Sequence, residues 1–280
     1  LNIKNSHYIL ISDFINNELI LDCLTNFSRN NIFIYQHGGN FGFKKINKTE
    51  LTENFYSDNY LTWGWKNSNE IPFLAPFFKN LNLIDLKVKR SGICLILIDI
   101  PKFVPLWNPQ FYSRGFSSYI NSLNLLYSKL KTNFKIRLYP RNDSGIKFSF
   151  LEKDLDKSNS QKELFSKYEL YIYTYNSTGF LQFWQLKIPC ILFLSEEDFL
   201  LIDKKHERLI KKMIEVNLIF LDIEKLTTFI LNKNFDPQIW FNSESTQKTL
   251  NVFMNSFCNL NIDKINIQEL EPIFNFNNLN

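Results

Sequence analysis

The sequence predicts an α/β fold built on parallel, doubly wound sheets, and three observations carry that prediction. Short apolar runs of strand length alternate with stretches of helical period along the chain, and parallel strands need helical crossovers to join them. The stretch from Tyr168 to Ser195 holds a complete strand, helix, strand unit. Two strands run directly into polar or glycine-rich turns, Gln36 to Gly42 and Asn176 to Gly179, at the sheet end where ligands sit in such folds.

Taken in order, Tyr8 to Ile11 reads as a strand, and Asn16 to Ser28 as an amphipathic helix with Leu19, Ile20, Cys23, Leu24 and Phe27 on one face. Ile32 to Tyr35 is the next strand, and it enters Gln36-His37-Gly38-Gly39-Asn40-Phe41-Gly42. Glycines there let the backbone approach a ligand and adopt angles closed to other residues. His37 is then either a turn residue bonded to backbone or a functional group on the rim, and its place between a buried strand and three glycines favours function. Asn54 to Asp58 leads into a third strand, Tyr60 to Trp65. Trp63 and Trp65 alternate along it and are expected to pack rather than form a sugar platform. The polar, basic stretch from Lys79 to Arg90 reads as a domain boundary. The expected division is 1–82, the C-terminal part of a Rossmann-like domain, and 83–280, a second such domain with C-terminal helices.

The second domain opens with Ile93 to Ile100, a near-continuous apolar run typical of a central parallel strand. Pro101 to Pro109 is a loop, Ser117 to Leu130 a helix, and Phe134 to Tyr139 a strand that ends in Pro140-Arg141-Asn142-Asp143. Arg137, Arg141 and Asp143 are therefore expected at or near one rim, although Arg141 reads equally as a solvated loop residue. A polar insert, Lys153 to Glu163, precedes the strand Leu170 to Tyr175. The helix from Phe180 to Leu186 follows the turn Asn176-Ser177-Thr178-Gly179, is stopped at Lys187-Ile188-Pro189, and leads to the strand Cys190 to Leu194. Free backbone N–H groups, two hydroxyls and the positive end of a helix dipole converge at that turn, which suits a phosphate. Ser177 acting only as a helix cap is the competing reading. Beyond it, Lys204 to Val216, Glu224 to Leu231 and Pro237 to Phe257 read as helices and Leu218 to Leu221 as a strand.

With 280 residues, 45% hydrophobic and 21% charged, the chain is globular, and a net charge of +4 without clustered Lys and Arg argues against nucleic acid as a partner. Cys23, Cys94, Cys190 and Cys258 are scattered without a C-x-x-C pair, so reduced core thiols are expected and a zinc site is not. No apolar run is long enough to span a bilayer and the first residues lack a signal-peptide pattern, so a cytoplasmic protein is expected. The chain starts at Leu1 and soon enters a strand, which suggests a start partway into a domain, an unusual start codon being the alternative.

The stretches QHGGNFG, YLTWGW, RLYPRND and YTYNSTGFLQFWQLKIPCILF, in this order over roughly residues 8 to 220, resemble the LIC-type transferase family of O-antigen and surface-polysaccharide biosynthesis. More distantly they are similar to CDP-glycerol glycerophosphotransferases and capsular Kdo transferases. The resemblance implies a GT-B fold, two Rossmann-like domains with the nucleotide donor on the C-terminal one, and here an incomplete N-terminal one. It implies that His37 is the base, that Arg137, Arg141, Ser177, Thr178, Gly179 and Gln182 bind the donor and its phosphates, and that Gln36, Gly38, Gly39, Asn40, Tyr139 and Asn176 line the cleft. Tyr139 stands where the related pattern has histidine, and Gln182 where an acidic residue commonly follows the turn.

Without a D-x-D pair to hold a divalent ion, the leaving phosphate's charge would be met by Arg137, Arg141 and the helix start at Ser177, so no metal and no cofactor are expected. His37, titrating near neutrality as an ordinary imidazole does, would take the acceptor's proton. The implied function is a glycosyltransferase moving a sugar from a nucleotide-activated donor to a glycan or lipid-linked glycan such as O-antigen. A CDP-activated glycerol or polyol-phosphate transferase is the alternative within enzymes. A non-catalytic nucleotide-sugar-binding remnant is the alternative outside them, suggested by Tyr139 and Gln182. Peripheral association with the inner face of the cytoplasmic membrane stays open.

Overall fold

The structure, a computed structural model, describes residues 8–10, 18–26, 32–66, 70–75, 90–97, 113–130, 134–138 and 152–260. The chain forms two compact units, Leu1–Asn80 with Val252–Asn280, and Leu81–Asn251. Each has its own parallel sheet, as the alternation of strands and helices requires.

In the first unit the elements are β1 (Tyr8–Leu10), α1 (Glu18–Asn26), β2 (Ile32–Tyr35), α2 (Lys48–Tyr56), β3 (Asn59–Thr62) and β4 (Glu70–Pro72). The sheet runs β1-β2-β3-β4, with Phe33 opposite Asn59 and Tyr60 opposite Glu70. Ile32 to Tyr35 is buried throughout, so the apolar run reports a strand covered on both faces. Three departures from the sequence reading occur here. α2 was not anticipated, β4 adds a fourth strand, and β3 stops at Thr62, so Trp63 and Trp65 follow the strand rather than lie on it. Both tryptophans are buried and do pack, the Trp65 ring against Tyr60. The end of the last helix joins this unit, with Phe253 and Phe257 edge-on to Phe43.

The second unit contains β5 (Ile93–Ile96), α3 (Ser113–Lys129), β6 (Phe134–Arg137), α4 (Gln161–Lys167), β7 (Leu170–Tyr173), α5 (Thr178–Gln185), β8 (Cys190–Phe193), α6 (Glu196–Leu200), α7 (Lys204–Glu215), β9 (Ile219–Phe220), α8 (Ile223–Ile230), α9 (Pro237–Phe241) and the first part of α10 (Glu244–Phe257), whose residues from Val252 belong to the first unit. The predicted helix Pro237 to Phe257 is two helices, because Asn242 caps the end of α9 and the Ser243 hydroxyl accepts from Thr246 N at the start of α10. The predicted polar insert at Lys153 to Glu163 contains a 3-10 turn, Glu152–Asp154, and the start of α4, capped by Ser160.

All pairings in this sheet are parallel, and its order is β6-β5-β7-β8-β9. Alternate residues of the strands serve two layers. Leu95, Ile136, Leu170, Ile172 and Ile191 pack with Leu123 and Leu126 of α3, with Leu130 just after it, and with Leu226 and Ile230 of α8. Tyr171 and Tyr173 turn the other way, onto Phe183 of α5. Cys94, Cys190 and Cys258 are buried free thiols, and burial pushes all three far from ionisation. Among the described residues no helix is long and apolar enough to cross a membrane.

Candidate functional site

Two turns carry the candidate site residues, one in each unit, and each is held by side chains from a neighbouring helix or strand. In the first unit, Gln36 leaves β2 wholly buried. Its Nε2 donates to Gly38 O at 2.6 Å, while its Oε1 accepts from Trp63 N at 2.9 Å and Trp65 Nε1 at 2.8 Å. Gln36, expected among the cleft-lining residues, therefore braces the glycine turn against the turn after β3. Gly42 has φ +86, and a Cβ there would stand 2.6 Å from the Trp65 ring, so both backbone angle and space demand glycine. Gly38 and Asn40 are half-buried, and Gly39 is buried.

His37 has a quarter of its side chain exposed, 26%. Its Nδ1 bonds the Oε1 of Glu53 on α2, and its ring stands edge-on to Phe41 with centroids 5.3 Å apart. Glu53 is wholly buried, and its second oxygen, Oε2, accepts from the Tyr60 hydroxyl at 2.7 Å. Burial first, and then the nearby Glu53, push the Tyr60 phenol far above its ordinary range, so it remains a donor. One turn earlier on α2, the Oε2 of Glu50 accepts from Gly42 N at 2.9 Å. Positions three apart share a helix face, so one face of α2 grips both ends of the loop from His37 to Gly42. Glu53 was absent from the sequence reading, since nothing in KTELTENFY marks which acid turns inward.

In the second unit the strand order reverses between β5 and β7, the first and third strands of the sheet. The crevice beyond the carboxyl ends of such a pair is where α/β sheets bind ligands. Thr174 spans the pair, its backbone N and its hydroxyl both donating to Ile96 O, at 3.2 and 2.9 Å. Asn176 and the Ser177 turn follow at once. The Ser177 hydroxyl accepts from Gly179 N at 3.1 Å and caps α5, so the capping reading is correct as far as it goes. Gly179 is required on packing grounds, because a Cβ there would lie 2.0 Å from the Tyr173 hydroxyl oxygen. Burial holds the Tyr173 phenol protonated beside it.

Asn176 is the unexplained member. Its side chain is 6% exposed, and neither its oxygen nor its nitrogen has a hydrogen-bond partner. A buried, unpaired carboxamide costs roughly 1–3 kcal/mol, and here it adjoins the positive end of a helix. Ser177, Thr178 and Gln182 are half-buried around the same turn.

Arg137 is at the end of β6, as expected, but its Nη1 donates to Asp156 Oδ2 at 3.0 Å and to Ser158 O at 2.5 Å. The same carboxylate accepts from Lys167 Nζ at 2.9 Å and the Tyr168 hydroxyl at 2.7 Å. Arg137 therefore belongs to a polar cluster around the buried Asp156 carboxylate that ties the edge of the sheet to α4. Tyr139, Arg141 and Asp143 lie outside the described residues. Among the described residues no group of three or more His, Cys, Asp or Glu side chains is arranged to hold a metal ion.

Against known proteins, residues 14–271 match the pattern of the LIC12162 family transferases. No curated protein matches. Among solved structures, a histidine-to-alanine variant of the wall teichoic acid polymerase TagF is 16% identical, covering 97% of this chain and 73% of that one with a TM-score of 0.47. The TagF structure without a named substitution is also 16% identical, covering 90% and 70%, with a TM-score of 0.41.

Proposed function

Because the chain belongs to the LIC12162 family of transferases, we propose that it moves a sugar from a nucleotide-activated donor to a growing surface polysaccharide such as O-antigen. The observation that carries the donor half of this reading is Asn176. An amide left unpaired in a buried position at the sheet's reversal point, against a helix start, is a group awaiting a ligand that supplies both acceptors and hydroxyl donors. A nucleotide's phosphates and sugar supply both. Ser177, Thr178 and the N-terminus of α5 would hold the phosphate, with Gln182 one turn on as a further hydrogen-bonding side chain for a hydroxyl.

His37 of the first unit would act on the acceptor. The acceptor hydroxyl gives its proton to His37 Nε2, and its oxygen forms the new bond to the anomeric carbon. The bond from that carbon to the phosphate oxygen breaks, and the electron pair leaves with the nucleotide, whose growing charge the α5 N-terminus stabilises. The same turn suits a CDP-activated polyol phosphate, to which the motif resemblance also points. The acceptor would be a glycan or a lipid-linked glycan, met at the inner membrane face.

A thermal-shift screen of CMP, CDP, UDP and GDP tests the donor site, since a ligand bound only to the folded chain raises its melting temperature. One of the four should stabilise the wild-type chain. Asn176→Ala should weaken that nucleotide by about 1.5–3 kcal/mol if the amide meets a phosphate, while the unliganded variant is as stable as wild type or more so, because the orphaned amide is gone. Unchanged nucleotide affinity in Asn176→Ala would remove the donor site from this turn. The responding base separates CDP chemistry from other donors, and absence of any turnover with the activated form would leave a binding protein.

A further inference from the structure

We propose that Glu53 is the positioning residue for His37: its buried carboxylate holds the imidazole in the tautomer that carries the proton on Nδ1 and the basic lone pair on Nε2. The inference rests on the reading of His37 as the base and extends it to a residue 16 positions away on α2. A wholly buried carboxylate is costly unless both oxygens are paired, and Glu53 has two partners with different roles. The Tyr60 hydroxyl, on β3, would by itself anchor α2 to the sheet. The other oxygen is committed to a side chain that reaches solvent, His37.

The rest of the loop supports the same purpose. Glu50 holds Gly42 N from the same face of α2, and Gln36 clamps Gly38 from below. Phe41 closes one side of the ring. The imidazole is therefore fixed in both position and tautomer. When it takes the acceptor proton on Nε2, the positive charge appears next to a carboxylate that solvent does not screen, which favours that state over the same transfer to an isolated imidazole.

The first test needs no substrate. In the full chain labelled with 15N-histidine, which has three histidines, the ring nitrogens of neutral His37 should report the Nδ1–H form, identified by its loss in His37→Gln. The Nε2–H form would overturn the proposal outright. The second test measures release of nucleotide from the activated sugar that carries the nucleotide chosen by the shift screen. Glu53→Gln should lower kcat by about 10²-fold or more with little change in donor KM, because an amide can present either its oxygen or its N–H to Nδ1 and no longer offsets the charge. Tyr60→Phe removes only the anchoring bond and should lower stability with a far smaller loss of kcat per folded molecule. If the role of Glu53 were only structural, the two variants would lose kcat alike, and that result overturns the proposal. Full turnover in Glu53→Gln together with lost turnover in His37→Ala overturns Glu53 alone. Full turnover in His37→Ala removes the base itself.

Discussion

Replacing His37 with Ala should lower turnover by roughly 10²–10⁴-fold at saturating donor and acceptor, the range for a lost general base, while affinity for the nucleotide stays as in wild type. The separation follows from location, since His37 lies on the first unit and the Ser177 turn, proposed above to hold the nucleotide, on the second. One complication is built into the fold. Alanine leaves Glu53 buried with Tyr60 as the partner of one oxygen and nothing in place of the imidazole at the other, so stability falls too. His37→Gln is therefore the better variant, because its amide N–H can still reach toward Glu53 but cannot accept a proton at neutral pH. Loss of turnover in a stable His37→Gln chain with normal nucleotide affinity confirms the base. Full turnover in it returns His37 to the status of a turn residue.

Replacing Asp156 with Ala should destabilise the second unit by about 1.5–3 kcal/mol, the range for hydrogen bonds to a charged group, because the partly exposed Arg137 and Lys167 recover some of their loss from solvent. The Asp156 side chain is wholly buried. It accepts from Arg137, Lys167, the Tyr168 hydroxyl, and both Ser158 N and Ser158 Oγ. Burial alone would raise its pKa, but the bonds from Lys167, Tyr168 and Ser158 outweigh that and hold it down, from 3.8 to about 2. A carboxylate whose folded pKa is depressed contributes stability that is complete above its unfolded value and disappears as pH falls through the folded one. Wild-type melting temperature should therefore drop as pH is lowered from about 4 towards 2, and the drop should be shallower in Asp156→Ala. Equal acid sensitivity in the two chains would show that other carboxylates dominate. Arg137→Ala disturbs the same cluster, so any change in nucleotide affinity it causes has to be measured on chains of known stability.

Much of the fold could be read from local pattern. β2, β5, β7 and β8 fall within predicted apolar runs, and α7 and α8 match predicted helices within a residue, because apolar spacing reports directly which faces are covered. α2 escaped for the converse reason. Its inward position is occupied by Glu53, so the helix has little apolar periodicity to detect. β4 is three residues long and contains Pro72, too short and too unusual to read as a strand from composition.

The turn residues divide along the same line. His37, Ser177, Thr178 and Gly179 stood out because glycine and hydroxyl side chains at strand ends have local backbone reasons to be there. The need for Gly179 to clear the Tyr173 ring was not visible, since that contact depends on how α5 lies on β7.

By itself the sequence determined the class of fold and the glycine- and hydroxyl-bearing turns that follow two of its strands, because strand length, helical period and turn preference act over a few neighbouring residues. Which side chains meet was decided only by the tertiary structure. Glu53 reaches His37 across 16 residues and Asp156 reaches Arg137 across 19. A buried charge is tolerated only where its partner is brought to it, and no short-range pattern records which partner the folded chain will bring.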